Sequence, residues 1–148
     1  MIDKPQIIKG GHFRDYRGEM RFVNDFKFED VKRFYFIKHP DTEIVRAWQG
    51  HQREYKYFYP IKGSIIIAWV KIDNFESPSI NLKADFHIIK EDKSELVYIP
   101  PGYANGIKAL EPGSELMIFS DMELEQSVNE KHRYNPDLWF DWNKDYTK

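Results

Sequence analysis

A chain of 148 residues is the length of one domain, taken here as 1–148, and can bury a core without a disulfide or structural metal. Its 22 Lys and Arg against 24 Asp and Glu leave a formal charge of -2, which points away from nucleic acid or an anionic membrane as partner and leaves only a local basic patch open. No cysteine is present, so disulfides, thiolate nucleophiles and cysteine-ligated zinc or iron–sulfur sites are excluded, and either redox compartment is tolerated.

The opening stretch MIDKPQIIKGGHF has no apolar h-region, so no signal peptide is expected. The longest apolar run, Ile65–Val70, is too short to cross a bilayer. A soluble, cytoplasmic protein is expected. In chain order, strand-like runs rich in Ile, Val, Phe and Tyr fall at Met20–Phe26, Lys32–Lys38, Ile44–Trp48, Glu54–Tyr59, Ser64–Ile72, Lys83–Ile89, Glu95–Ile99, Gly106–Leu110 and Glu115–Ser120. Turn residues punctuate them at Asp15–Gly18, Pro60–Gly63, Pro100–Gly102 and Glu111–Gly113. One segment, Glu123–Lys131, reads as a short helix. Many short strands and one helix predict an all-β antiparallel sandwich or barrel. Ser64–Ile72 is apolar at nearly every position, as in a strand buried on both faces, either in the core or at a subunit interface. Aromatic residues make up 16% of the chain, which suits a β-rich core and equally a pocket that stacks sugars or bases.

Two frames carry chemistry. The first has Gln49, His51, Lys56 and Gly63; the second is Pro100-Pro101-Gly102-Tyr103-Ala104-Asn105. Together they resemble the two signature motifs of the cupin superfamily, which implies a double-stranded β-helix, or jelly roll. Metal-binding cupins usually have His at the positions of Gln49, His51 and Asn105 and an acid at Lys56. Here only His51 remains. Gln49 and Asn105 offer weak carbonyl donors, and the Lys56 ammonium would repel a divalent cation. Glu54, on the same strand face as Lys56, would supply a carboxylate only in another register. No metal and no other cofactor is expected.

A narrower resemblance runs from Asp15 to Trp142. Asp15-Tyr16-Arg17-Gly18 resembles the DxRG motif of nucleotide-sugar 3,5-epimerases of the dTDP-4-keto-rhamnose type. Lys32–Ile37 followed by Val45–His51 resembles the related sugar 3,4-ketoisomerases. Pro100–Gly106 is similar to the epimerase PxGxAHG segment with Asn105 replacing His, and Asn135–Trp142 is similar to its NDPDLxIxW ending. The resemblance implies an RmlC-like cupin that moves protons beside the keto group of a dTDP-linked 4-keto-6-deoxy sugar, in the making of surface-polysaccharide sugars, without a metal. It also implies a homodimer that pairs sheets or swaps N-terminal strands.

The family's usual base falls on Gln49 and its tyrosine acid near Met122, and neither side chain can do that work. His51, at the second His of the ketoisomerase HxH pair, is the remaining base or acid; a buried imidazole satisfied by a carbonyl is the equal alternative. Gln49, two residues away on the same strand face, would orient it or bind a sugar hydroxyl. An inward Lys56 would stabilise an oxyanion; an ordinary exposed lysine is the rival reading. Tyr35 and Tyr103 are candidate proton donors or sugar-stacking groups, with core packing the plainer role for each. Arg17 and Arg46 are diphosphate candidates ahead of Arg21. Asn105 and Asp121 complete the expected substrate contacts. His12, His39, His87 and His132 lack paired ligand spacing and read as structural or surface residues. Two rivals stand beside the isomerase: a sugar-nucleotide or carbohydrate-binding cupin that has lost its base and, ranked last because of Lys56, a metal-dependent cupin such as a dioxygenase.

Overall fold

The computed structural model describes residues 3–146. In chain order the elements are β1 (Gln6–Lys9), β2 (Gly11–Asp15), β3 (Gly18–Phe22), β4 (Arg33–Lys38), β5 (Val45–His51), β6 (Lys56–Lys62), β7 (Ser64–Lys71), β8 (Asp85–Lys90), β9 (Glu95–Ile99), β10 (Tyr103–Ala109), β11 (Glu115–Ser120), α1 (Leu124–Asn129) and β12 (His132–Arg133). Two five-stranded sheets run β1-β9-β6-β11-β4 and β12-β5-β10-β7-β8, and β2 and β3 form a separate hairpin. Every pairing between these strands is antiparallel. Partners are drawn from far along the chain, as a jelly roll requires.

The sheets face one another over Phe58, Ile65, Ile67, Ile89, Val97, Leu116 and Ile118. The alternate residues of β7, Ile66, Ala68 and Val70, point the other way, because side chains on a strand alternate between faces. That outer face is covered by the chain's own C-terminal segment. Trp142 packs on it with Trp139, Phe140 and Tyr146. The segment is also pinned by polar contacts: Trp48 Nε1 donates to the Leu138 carbonyl at 2.9 Å, Trp139 Nε1 to Ser79 at 2.8 Å, and Lys108 Nζ to Trp142 at 2.8 Å. The both-faces-buried character of Ser64–Ile72 therefore comes from two cores within one chain.

β5 carries a bulge, with a register shift opposite Asn105–Ile107. There Trp48 leaves the β10 ladder and exchanges backbone hydrogen bonds with Tyr134, 3.1 and 3.3 Å long. β12 then continues beside β5, with Arg133 opposite Gln49. The tail thus sets both the second core and the edge of the site.

The expected strands are present with shifted ends. Met20–Phe26 stops at Phe22, since Asn24 and Asp25 form a turn and Phe26 leaves to pack edge-on against Tyr57, 4.4 Å between centroids. The strands β1, β2 and β12 were not anticipated; they are short and carry no apolar run. The helix expected over Glu123–Lys131 is α1, shortened at both ends.

Gly106 on β10 sits under the tail. A Cβ there would come within 2.6 Å of the Ala47 Cβ and 2.7 Å of the Trp142 ring. Gly106→Ala is expected to lower stability by about 1–3 kcal/mol through overpacking, measured by urea unfolding.

Candidate functional site

The edge strands β4 and β5 lie on the same side of the sandwich, and a narrow cavity opens between them. It is lined by Tyr35 and Ile37 from β4, Arg46 and Gln49 from β5, Lys56 and Phe58 from β6, Asn105 and Ile107 from β10, and Ile118 from β11. The cavity measures about 50 Å³, room for a few waters. A sugar ring must therefore meet these groups from the mouth. Tyr35 and Gln49 are half-buried, Arg46 is exposed, and Lys56 and Asn105 are buried.

Lys56 turns inward. Its ammonium donates to the Tyr35 phenol oxygen at 2.9 Å. It also lies 3.9 Å from the carboxylate of Glu54. Glu54, at the entry to β6, has a side chain with 0% exposure. Its Oε1 accepts from the Ser127 hydroxyl at 2.8 Å and lies 3.3 Å from His51 Nδ1. Its Oε2 accepts from the Ser120 hydroxyl and faces Arg33 Nη2 at 3.5 Å. Arg33 is held in turn: Nε donates to the Met122 carbonyl and Nη2 to Ser127 Oγ, each at 3.0 Å, and its guanidinium lies over the Tyr35 ring at 4.9 Å. Met122 thus contributes a backbone acceptor. A buried carboxylate is tolerated only when paired and hydrogen-bonded, and this one gathers partners from β4, β5, β6, β11 and α1.

The turn before β6 is fixed from outside. Glu130 Oε1 accepts the backbone N–H groups of Arg53 and of Glu54, the latter at 3.2 Å. Asp121 Oδ1 accepts the N–H of Tyr55 at 2.9 Å.

Burial alone would raise the pKa of Glu54, but His51, Lys56 and Ser120 together outweigh it and bring it down to about 2. His51 moves down from its usual 6.5, chiefly through burial, with Lys56 adding to the effect and Glu54 opposing it. It is therefore neutral at physiological pH. In the tautomer with its proton on Nδ1, it directs that N–H at Glu54 and keeps a lone pair on Nε2. That Nε2 is buried and has no protein partner among the described residues.

Of the residues singled out from the sequence, Tyr35, Arg46, Gln49, Lys56 and Asn105 come together around the cavity. His51 lies one step deeper on β5, paired with Tyr103 across the ladder, and reaches the group through Glu54. Three others lie elsewhere. Arg17 is at the exposed tip of the β2–β3 hairpin, paired with Asp15 at 2.6 Å. Tyr103 packs in the core between the sheets and borders a groove beside Lys71 and Asp85. Asp121 faces an outer groove of about 950 Å³ with Tyr55, Tyr57 and Tyr98. Arg21 is tied to the carbonyls of Pro60, Ile61 and Glu91 at 2.7–3.1 Å. His12 and His87 pair with Glu19 and Glu95, and His39 is buried.

Sequence reasoning missed Glu54 as a centre, together with Arg33, Ser120, Ser127 and Arg133. The available signal was parity: Glu54 shares a strand face with Lys56, so an inward Lys56 implies an inward carboxylate. The donors do not suit a divalent cation. His51 is the imidazole among them, Lys56 and Arg46 add positive charge, and no cluster of three or more His, Asp or Glu with ligand geometry occurs among the described residues.

No family model matches the sequence, and no curated protein matches it. Solved structures do. The RmlC epimerase of Mycobacterium tuberculosis superposes with a TM-score of 0.77 at 20% identity, over 95% of this chain and 75% of that one. A dTDP sugar isomerase from Desulfovibrio desulfuricans gives 0.77 at 19% identity, over 95% and 92% of the two chains. The QdtA sugar 3,4-ketoisomerase of Thermoanaerobacterium thermosaccharolyticum, in complex with TDP, gives 0.69 at 21% identity, over 93% and 92%. The chain is a cupin-type jelly roll with a lateral, cation-lined cavity. More narrowly, its fold is that of the RmlC-like cupins.

The buried pair makes acid stability readable. The unfolded chain takes up the Glu54 proton near 4.5 and the folded chain only near 2, so the stability Glu54 contributes is complete above 4.5 and lost as pH falls to 2. That difference is worth about 3 kcal/mol. His51 has a lowered folded pKa, so its protonation favours the unfolded state once pH falls below 6.5. In urea unfolding followed against pH, Glu54→Gln is expected to cost about 3–5 kcal/mol at neutral pH by leaving Lys56 and Arg33 uncompensated, and to flatten the limb between 4.5 and 2 while leaving the upper limb in place.

Proposed function

We propose that this chain is an isomerase-type RmlC-like cupin that transfers a proton beside the keto group of a nucleotide-linked sugar, a dTDP-linked 4-keto-6-deoxy sugar by analogy with its structural neighbours. The observation that carries this reading is the Lys56 ammonium at the cavity, bonded to Tyr35 at 2.9 Å. A carbonyl oxygen placed against Lys56 and the Tyr35 hydroxyl would have two donors aimed at the charge that forms on it. A neutral His51, oriented by Glu54, is the base in the set and would take the proton from the carbon beside that carbonyl. The resulting enolate is reprotonated at carbon or, for ketoisomerisation, passes its proton between the two oxygens. The positive lip that includes Arg46 favours an anionic substrate.

In heavy water with dTDP-4-keto-6-deoxyglucose, deuterium is expected at carbon 3 or carbon 5 by NMR. Lys56→Ala is expected to slow its appearance by about a hundredfold or more. No incorporation across several keto sugars would overturn the catalytic reading.

One observation favours a second reading, a binding module without turnover: Gln49, where the family resemblance expects the base, lines the cavity itself. That reading requires sugar-nucleotide affinity with no exchange. We place the protein in the cytoplasm, in the making of sugars for surface polysaccharide.

We also propose a homodimer. The outer face of the first sheet carries Phe34 and Phe36, 62% and 59% exposed, continuous through Phe119 with Phe26 and Phe28. Exposed aromatic patches of this kind mark association surfaces, and a flat sheet face can pair with its own copy about a two-fold axis. Light scattering is expected to give a dimer mass for the native protein and a monomer mass for Phe34→Asp with Phe36→Asp.

A further inference from the structure

The cavity mouth holds two guanidinium groups that the buried carboxylate does not serve. Glu54 is already engaged by Ser120, Ser127, His51, Lys56 and Arg33. Arg46 lines the cavity from β5 and is exposed at its outer end. Arg133 stands opposite Gln49 in the β12–β5 ladder. Residues opposite one another share a face of the sheet, and Gln49 faces the cavity. Arg133 is therefore on the cavity side, on the strand next to Arg46. Its pKa is lowered by partial burial and by the charge of Arg46, with Tyr35 and Glu54 acting the other way. The two cations are thus close enough to repel, and Tyr35 is near both. Among the described residues neither lies within ion-pair distance of a carboxylate. The Arg133 bond on record is a long one, 3.4 Å, to the neighbouring His132 carbonyl.

Two like charges are held together here by the fold. β12 is two residues long and pairs with β5 alone. Its place is set by the Trp48–Tyr134 backbone exchange that follows it. An anion with several oxygens lying between the forks would relieve the repulsion and accept from both.

We propose that Arg133 and Arg46 form a two-armed clamp for the diphosphate of a nucleoside diphosphate ligand, with Arg133 as a binding residue in its own right. This rests on the nucleotide-sugar reading above and adds where the phosphates lie. The sugar is then directed inward at Tyr35 and Lys56, and the nucleoside lies outside the lip. Neutral sugars gain nothing from the clamp, so it selects activated sugars over free ones.

The test is calorimetric titration of the intact chain with dTDP, thymidine and inorganic pyrophosphate, as native protein and as Arg133→Gln, Arg133→Lys and Arg14→Gln. Arg14 lies on the distant hairpin, 75% exposed. The native protein is expected to bind dTDP more tightly than thymidine. Arg133→Gln is expected to lose about tenfold or more for dTDP and pyrophosphate, with thymidine unchanged. Arg133→Lys, which keeps the charge without the fork, falls between, and Arg14→Gln matches the native protein. Equal affinities for dTDP in the native protein and Arg133→Gln overturn the clamp, as does a native protein that binds neither dTDP nor pyrophosphate. Failure of deuterium exchange with a normal Arg133 effect would sink the catalytic reading and leave the clamp standing.

Discussion

A carboxylate cannot stay ionised inside a protein alone, and the way Glu54 is satisfied organises the rest of the site. Its two oxygens draw in a hydroxyl from β11, a hydroxyl from α1, an imidazole from β5, an ammonium from β6 and a guanidinium from β4. Each partner then acquires a fixed direction. Lys56 has its remaining donors for the cavity, where Tyr35 already takes one. His51 is locked in orientation with one nitrogen left buried and open. A network of this kind is stable when every member is present, and it leaves excess positive charge on the side facing the mouth.

The second constraint is the C-terminal tail. The outer face of β7, with Ile66, Ala68 and Val70, would be an exposed apolar sheet without Trp139, Phe140 and Trp142 against it. Burying it draws the chain back along β5, and on the way the tail lays β12 beside Gln49. Hydrophobic coverage on one side of the sheet thereby sets a cation on the other. The bulge at Trp48 is where the two meet, since its indole is in the second core and its backbone bonds to Tyr134.

The fold was legible because β4 to β11 each carry apolar runs between turn residues, and because the ordered motifs resemble those of the RmlC-like cupins. What escaped was either short or indirect. β1 and β2 lack an apolar run, so nothing in the local pattern marks them. Lys56 and Gln49 fell into place because parity along a strand carries over into the folded state. Glu54 was visible by the same parity, but its role depends on Ser120 and Ser127, 66 and 73 residues away, which no spacing rule connects. Arg17 stands in a motif yet lies at a hairpin tip, because motif order does not say which loops converge. Tyr103, read as a substrate contact, has its ring committed to the core.

The central claim is that the mouth between β4 and β5 receives an activated keto sugar, with donors on its carbonyl and guanidinium groups on its phosphates. The most direct measurement is a crystal structure of the protein soaked with a dTDP-linked 4-keto-6-deoxy sugar. The account predicts density at this mouth, with the carbonyl oxygen within hydrogen-bond reach of Lys56 and Tyr35. Density confined to the outer groove beside Tyr55 and Asp121, with the mouth empty, would contradict it.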